Sequence, residues 1–358
     1  MGVSRTAAIL LAAIGLTAAS LSAQTEGAET RATPKGGTSG LAISAFYRAG
    51  QVFITWKELA DVKGEKYDIY RSDEAITPAT LAKARKLGVV GEDSGAFKAE
   101  QFVRQLEKKT GVKGYNFRNI IRDNPGNDPK AQLAEGVGLF VYTVKKTGRG
   151  HYCVVPVIGG KQDLPRTTAT TEAVTESVAL PGAVLVWKHP QGTAAVYTHW
   201  MDGATWDADG ESNAYNFGVA VPKGYDGKAP LPIMFYGHGM SGTYAVPDQA
   251  SYWRCLWIWP GDRPGCWFMG RMNRDKTKVV NYVEQRIRWM YQWLLAGRAN
   301  QFWRVDPRLV QAHGHSMGGT MCNALAMRMG DIFCTTVSSA GATIHSRNRV
   351  WVNQAARL

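Results

Sequence analysis

One serine near the end of this 358-residue chain stands in a pattern suited to covalent chemistry. The pentapeptide GHSMG, residues 314–318, places glycine two positions before and two positions after Ser316, and Gly319 follows. This pattern is typical of a strand that turns sharply into a helix and lifts the serine hydroxyl clear of a sheet. Side chains at the two glycine positions would collide in such a turn. The helix N-terminus would then face a developing oxyanion, so the pattern predicts Ser316 as a nucleophile.

The segments around Ser316 alternate between strand and helix patterns. Residues 214–242 contain two apolar runs that predict strands, and residues 305–313 and 332–342 predict two more. Residues 277–297 predict a helix that ends at Gly297, and residues 316–330 predict another. The first helix has one apolar stripe at helical spacing, namely Val279, Val283, Ile287, Met290 and Leu294. This alternation favours a parallel sheet covered by helices on both faces.

A second glycine-rich turn agrees with the first. The apolar run PIMFYGHG ends in Gly237-His238-Gly239-Met240 and resembles the loop after the third strand of α/β-hydrolases. Together with YNFGVAVPKGYDG, VVNYVEQR, VDPRLV and GHSMGG, it makes the stretch from about 195 to 345 similar to the secreted α/β-hydrolase esterases, including the polyhydroxybutyrate depolymerase and feruloyl esterase types. The resemblance implies acyl transfer to water with no cofactor. It also implies an oxyanion hole built from the N–H of Met317 and an N–H near Gly239 or Met240.

The acid and the base that would activate Ser316 are harder to find. In α/β-hydrolases they follow the serine in the order acid, then histidine, and only Asp331 and His345 follow here. Asp331 lies beyond a predicted helix of about 14 residues, some 20 Å long, so we expect it at the opposite end of the sheet. His345 follows the next strand and remains the candidate base, although the family places its histidine after two further strands. The last strand would also be left as an exposed apolar edge.

Three hypotheses follow from this shortage. The first is a serine esterase whose chain is the N-terminal part of a longer hydrolase and is inactive or nearly so as it stands. The second is a complete enzyme that uses His345 or a nonstandard base. The third is a non-catalytic protein that binds polysaccharide or another surface and carries a vestigial hydrolase domain. The expected partner is a small or polymeric ester, which could be linked to polysaccharide.

The first half of the chain has a different pattern. Residues 1–23 combine Arg5, an apolar stretch too short to span a bilayer and small residues before Gln24, which predicts a signal peptide and an exported, secreted or periplasmic protein. Residues 24–40 are polar and rich in Gly, Thr and Ala, which predicts a linker. From residue 41 short alternating runs predict an antiparallel sandwich. The order of ITW, YDIYRS and GHYCVVPV resembles a fibronectin type III module over 41–180, with Trp56 in its core and Tyr152 near the tyrosine corner. Residues 77–125 would be an insertion, and 185–358 the hydrolase domain.

The charge distribution and the cysteine spacing argue against nucleic-acid binding and against a cysteine metal site. The net charge of +13 comes from Lys and Arg spread along the chain without a run of five like charges, which is typical of solvated surface rather than of nucleic-acid binding. Five cysteines show no metal-type spacing, and Cys255 and Cys266 are predicted to form a disulfide around a Pro- and Gly-containing loop. The tryptophans between residues 253 and 267 either line a cleft or form the core of that loop, and we favour the loop core.

Overall fold

The structure is a computed structural model. It describes residues 31–32, 41–97, 118–170, 172–202, 214–239, 253–261, 268, 270–272, 277, 279–297 and 302–341. The predicted signal peptide, residues 1–23, lies outside this part of the chain. No helix among the described residues is long and apolar enough to cross a membrane.

The first half of the described chain forms two antiparallel sheets. Their strands are β1 (Arg31–Ala32), β2 (Ile43–Arg48), β3 (Gln51–Lys57), β4 (Lys66–Ser72), β5 (Arg85–Gly91), β6 (Val137–Thr143), β7 (Gly148–Ile158), β8 (Lys161–Gln162), β9 (Thr168–Ala169) and β10 (Val174–Glu176). One sheet has the order β1-β2-β3-β6 and the other β10-β7-β4-β5, with β8 and β9 also paired to β7. Short 3-10 turns occupy Leu81–Lys83, Pro129–Ala131 and Leu164–Arg166.

The two sheets enclose one apolar core, which confirms the predicted sandwich. Trp56 lies in that core with 1% of its surface exposed, and its ring contacts Tyr67 at 5.2 Å between centroids. Tyr152 is also buried, but its hydroxyl donates to the carboxylate of Glu176. Residues Arg31 and Ala32 of the predicted linker pair with β2, and β5 lies within the predicted insertion.

The second half forms a seven-stranded mixed sheet. Its elements are β11 (Val184–Lys188), β12 (Ala194–Trp200), β13 (Ala214–Ala220), β14 (Leu231–Gly237), β15 (Leu256–Trp259), the short pair β16 (Arg271–Met272) and β17 (Val279–Val280), α1 (Tyr282–Leu295), β18 (Val305–His315), α2 (Met317–Arg328) and β19 (Thr335–Ser339). The strand order is β11-β12-β13-β15-β14-β18-β19. Pairing is parallel from β15 through β14 and β18 to β19, and antiparallel among the first four strands. The expected parallel sheet is therefore parallel only in its second half.

Both described helices pack on the same face of this sheet. Buried residues of α1 and α2 share one apolar cluster with alternate residues of β12 through β18. The opposite face carries Trp187, Trp257 and Trp259, against which Phe97 of the predicted insertion packs. The expectation of helices on both faces is thus met on one face only within the described residues. Helix α1 starts later than expected, since Val279 lies in β17 and is 52% exposed, whereas Gly297 follows its end with φ +55° as predicted.

The sandwich packs directly against the first strands of the mixed sheet. Phe53 of β3 meets Trp200 of β12 edge-on, with ring centroids 5.0 Å apart, in a cluster that also contains Val184 and Ile120. The side chain of Gln51 donates to the buried Trp200 carbonyl at 3.0 Å. Because aromatic burial of this kind is a large stabilising contribution, the two halves are held together by an apolar interface.

Residues 123–127 cover the free edge of β11. Backbone N–H of Leu185 donates to the Asp123 carboxylate at 2.8 Å, and its carbonyl accepts from the N–H of Asn124 at 2.8 Å. Asn127 makes two bonds with the backbone of Lys188, accepting at 2.8 Å and donating at 2.7 Å. An uncovered edge would offer these groups to another chain, so this cover protects the sheet from edge-to-edge pairing.

Candidate active site

Ser316 occupies a strained turn between β18 and α2. Its backbone has φ +55° and ψ −116°, a combination that residues other than glycine rarely adopt and that costs about 1–3 kcal/mol. The N–H of Ser316 donates to the carbonyl of Ser339 at 2.8 Å, which ties the turn to the end of β19. The side chain does not cap α2 and is partly exposed. The predicted strand, sharp turn and helix are confirmed.

Glycines allow the turn to sit this close to its neighbours. A Cβ at Gly237, the last residue of β14, would lie 2.6 Å from the Cα of Gly318. A Cβ at Gly319 would lie 2.7 Å from the Ser339 carbonyl oxygen. Both distances are shorter than any normal carbon contact, so α2 can begin here only because these positions lack side chains.

Two residues that were predicted to form an oxyanion hole, Gly239 and Met317, lie beside Ser316. Gly239 follows β14 and lies beside the serine, since a Cβ built on it would be 4.0 Å from the Ser316 Cβ. Met317 is the first residue of α2, where backbone N–H groups have no partner within the helix. The parallel pairing of Gly237 with Gly314 brings both turns to the same edge of the sheet. Met240, the other predicted donor, lies outside the described residues.

The histidines nearest to Ser316 in the described chain are engaged elsewhere. Nδ1 of His315 lies 3.2 Å from the Ser339 hydroxyl, and the His313 ring packs edge-on against Tyr236 at 5.5 Å. Nδ1 of His238 lies 2.7 Å from the carbonyl of Gly239. Asp331 forms an ion pair with Arg288 of α1 at 2.6 Å, as expected for a residue at the far end of α2.

No acid or histidine among the described residues is hydrogen-bonded to the Ser316 hydroxyl. His345, the candidate base, lies outside them. Within the described residues no cluster of three histidine, cysteine or acidic side chains could hold a metal ion. Within the described residues the candidate site therefore consists of Ser316 and the neighbouring backbone of Gly239 and Met317.

Sequence reasoning missed a central strand and the arginine that anchors it. The Trp-rich segment proposed as the core of a loop is β15, inserted between β13 and β14, with Trp257 and Trp259 2% exposed. Arg286 of α1 is fully buried and donates to the carbonyls of Pro260 and Gly261 at 2.6 and 2.8 Å. These bonds fix the chain where β15 leaves the sheet, at the same edge as Ser316.

Arg286 also contacts a buried histidine, His199 of β12. Its Nε donates to Nε2 of His199 at 3.1 Å, and His199 stacks on Trp289 at 4.2 Å. Burial, and then the charge of Arg286, lower the pKa of His199 well below its ordinary range. His199 is therefore neutral and accepts through Nε2. The sequence pointed to this buried histidine only through the run VYTHW, in which one histidine stands in an otherwise apolar strand.

Only one cysteine of the predicted disulfide, Cys255, lies within the described residues. Cys255 is a buried free cysteine, and burial raises the pKa of its thiol to about 11. Cys266 lies outside the described residues, so the pairing stays a prediction. Cys255 sits just before β15 and packs in the cluster of Trp257 and Trp259.

Comparison with known proteins finds partial structural likeness. No protein-family model matches the chain, and no curated protein sequence matches it. Among solved structures, it is similar to the fluorophosphonate-binding serine hydrolase F of Staphylococcus aureus, with 16% identity over 46% of this chain and 66% of that one and a TM-score of 0.33. An S-formylglutathione hydrolase from Agrobacterium tumefaciens has 16% identity over 48% and 66%, with a TM-score of 0.35. An acetyl xylan esterase from Aspergillus awamori has 19% identity over 36% and 47%, with a TM-score of 0.28.

These structural neighbours are serine hydrolases and esterases. The chain spans between 47% and 66% of the length of these three.

Proposed function

We propose that the chain carries an α/β-hydrolase serine esterase domain, with an acyl-enzyme formed on Ser316. The observation that carries the proposal is the backbone of Ser316, which is strained at φ +55° while its N–H is held by Ser339 and its side chain is left uncapped. Strain of this kind persists only where the surroundings enforce it, and it concentrates at functional sites. A structural serine at a helix start would instead cap the helix in a relaxed conformation.

The arrangement suits attack on a carboxylic ester. The Ser316 hydroxyl would add to the ester carbonyl, and the developing oxyanion would accept hydrogen bonds from the N–H of Met317 and from backbone near Gly239 and Met240. Collapse would expel the alcohol and leave the acyl group on Ser316, and water would then release the acid. The serine proton must pass to a base and then to the departing alcohol.

His345 is the base we propose to test first. It is the only histidine after Ser316 in the sequence. A site with a nucleophile and oxyanion donors but no working base retains only a small part of its catalysis, so we expect slow turnover if His345 does not serve. The proposed substrates are carboxylic esters, either small or attached to a polymer.

The remaining proposals concern the first half of the chain. We propose a fibronectin type III-like module, supported by the strand orders β2-β3-β6 and β10-β7-β4-β5 and by Trp56 in the core between the sheets. We also propose export, supported by the pattern of residues 1–23. A further proposal is that the module stabilises the hydrolase sheet, because it buries Trp200 and covers β11.

Hydrolysis of a chromogenic acetate ester by the full chain tests the function. Wild type, Ser316→Ala and His345→Ala are compared, with Ser44→Ala, which lies in β2 of the sandwich, as a matched serine control. We expect activity above background that Ser316→Ala abolishes and Ser44→Ala leaves unchanged. Activity that survives Ser316→Ala would refute the role of Ser316. Full activity in His345→Ala would refute His345 alone.

A further inference from the structure

A groove of about 510 Å³ lies at the edge of the mixed sheet opposite Ser316. It is formed where β12, β14 and β18 begin and where β13 ends, and Gln191, Thr193, Tyr225, Asp226, Phe302 and Arg304 contribute to its walls. The length of β14, seven residues at about 3.3 Å each, separates it from the serine by roughly 20 Å. Its volume falls in the range of about 300–1,000 Å³ that small-molecule sites occupy.

Two aromatic rings in the groove are held in fixed orientations. The hydroxyl of Tyr225 donates to the carbonyl of Ala229 at 2.8 Å and accepts from the N–H of Arg304 at 2.9 Å. Phe302 is partly exposed and packs edge-on against the buried Trp303, with centroids 4.7 Å apart. The groove therefore presents preorganised ring surfaces that lose little conformational entropy when a ligand stacks on them.

Positive charge surrounds these rings. The Lys188 ammonium lies 6.0 Å from the Phe302 ring centroid. Arg304 is exposed, and its guanidinium makes one long hydrogen bond of 3.4 Å to the Lys228 carbonyl. Lys223 and Lys228 lie on the same loop as Tyr225 and are exposed. None of these four cations forms an ion pair within the described residues, and the one acid in the wall is Asp226. The local charge of the groove and its rim is thus strongly positive.

We propose that this groove binds an acidic oligosaccharide, such as a uronic-acid chain, through Phe302 and Arg304. A sugar ring offers an apolar face to stack on Phe302 and hydroxyls that side chains such as Gln191 and Thr193 can meet, and its carboxylate is matched by Arg304. A purely apolar ligand would make no hydrogen bonds to the Gln191 amide and no ion pair with Arg304. The site is separate from Ser316 and would hold a polymer at a distance from the reaction, so its test is independent of turnover.

Titration calorimetry of the full chain with trigalacturonic acid tests this proposal, with xylotriose as the uncharged comparison. We expect trigalacturonic acid to bind about ten-fold or more tightly than xylotriose and to weaken with added salt. Phe302→Ala should weaken binding of the acidic trisaccharide about ten-fold, and Arg304→Gln about five-fold. Lys161→Gln removes an exposed cation from β8 in the sandwich and should change nothing.

Several results would overturn the proposal. They are no binding of trigalacturonic acid at millimolar concentration, equal binding of both trisaccharides, or unchanged binding in both groove variants. Displacement of the sugar by an equal concentration of a short single-stranded oligonucleotide would assign the groove to a different anion. Because Arg304 is exposed, Arg304→Gln should fold normally, and its thermal melt verifies this even if Phe302→Ala destabilises the loop.

Discussion

Replacing Gly237 by alanine should separate the two turns that form the proposed active site. The new methyl carbon would lie 2.6 Å from the Gly318 Cα and 2.8 Å from the Met321 Cε. The methionine can rotate away, but the backbone of Gly318 cannot. Since ordinary carbon contacts are about 3.5–4.0 Å, β14 and the start of α2 must move apart by roughly 1 Å.

This displacement should lower both the stability of the fold and the reactivity of Ser316. Overpacking of this size costs about 1–3 kcal/mol of unfolding free energy. A displacement of about 1 Å between Ser316 and the backbone near Gly239 should slow the reaction of the serine about 100-fold. We would measure urea unfolding together with the rate at which a fluorophosphonate probe labels the protein.

Gly330→Ala supplies the matched control, because a Cβ at Gly330 meets no atom within 4 Å. This variant should label at the wild-type rate. Wild-type labelling by Gly237→Ala would refute the claim that close contact between Gly237 and Gly318 sets the geometry of the site. An equal loss in both variants would show that the effect is not specific to that contact.

Three further predictions follow from the described contacts. Asn127→Gly removes two hydrogen bonds to β11 and should lower the unfolding free energy by about 1–3 kcal/mol. Asn127→Ala should lower it by roughly 1 kcal/mol more, because the backbone at position 127 has φ +56°, which alanine adopts only under strain. Identical urea unfolding curves for the two variants would contradict this. The pKa of His199 is lowered in the folded protein, so in mild acid the unfolded chain binds a proton at this histidine and the folded protein does not. Stability should be full above about pH 6.5 and fall below it by up to about 1.4 kcal/mol per unit, and His199→Gln should flatten that slope in chemical unfolding measured across pH. Trp200→Ala should lower the unfolding free energy by about 3–5 kcal/mol, because Trp200 is buried between the sandwich and the mixed sheet. Scanning calorimetry should show the sandwich and the sheet both unfolding at lower temperature. An unchanged unfolding temperature for the sandwich would argue against the shared interface.

Local patterns in the sequence predicted the elements whose signal is contained within a few residues. Strands β3 and β4 were found from alternation, and they contain the quoted runs ITW and YDIYRS. The turn at Ser316 was found because glycine spacing, strand and helix all lie within residues 305–328. Strand β15 was missed, since Leu256–Trp259 is buried on both faces and shows no alternation among its bulky side chains.

Features that depend on contacts between distant residues could not be predicted. The acceptor for the Ser316 N–H is Ser339, and the edge of β11 is covered by residues 123–127, some 60 positions earlier. In the sequence, Arg286 resembles an ordinary exposed charge on an amphipathic helix. Its partners, the Gly261 carbonyl and His199, lie far from it in sequence, so no local pattern predicts its burial. Such pairings follow from the order of strands in the sheet, which single-sequence periodicity does not determine.

Locating the covalent adduct of a fluorophosphonate probe tests the central claim most directly. The full chain would be treated with the probe, digested and analysed by mass spectrometry, beside Ser316→Ala. The account predicts one adduct per chain, on the peptide that contains Ser316, and none in Ser316→Ala. An adduct on another serine, or no adduct in wild type under conditions that label an authentic serine esterase, would contradict the assignment of Ser316 as the nucleophile.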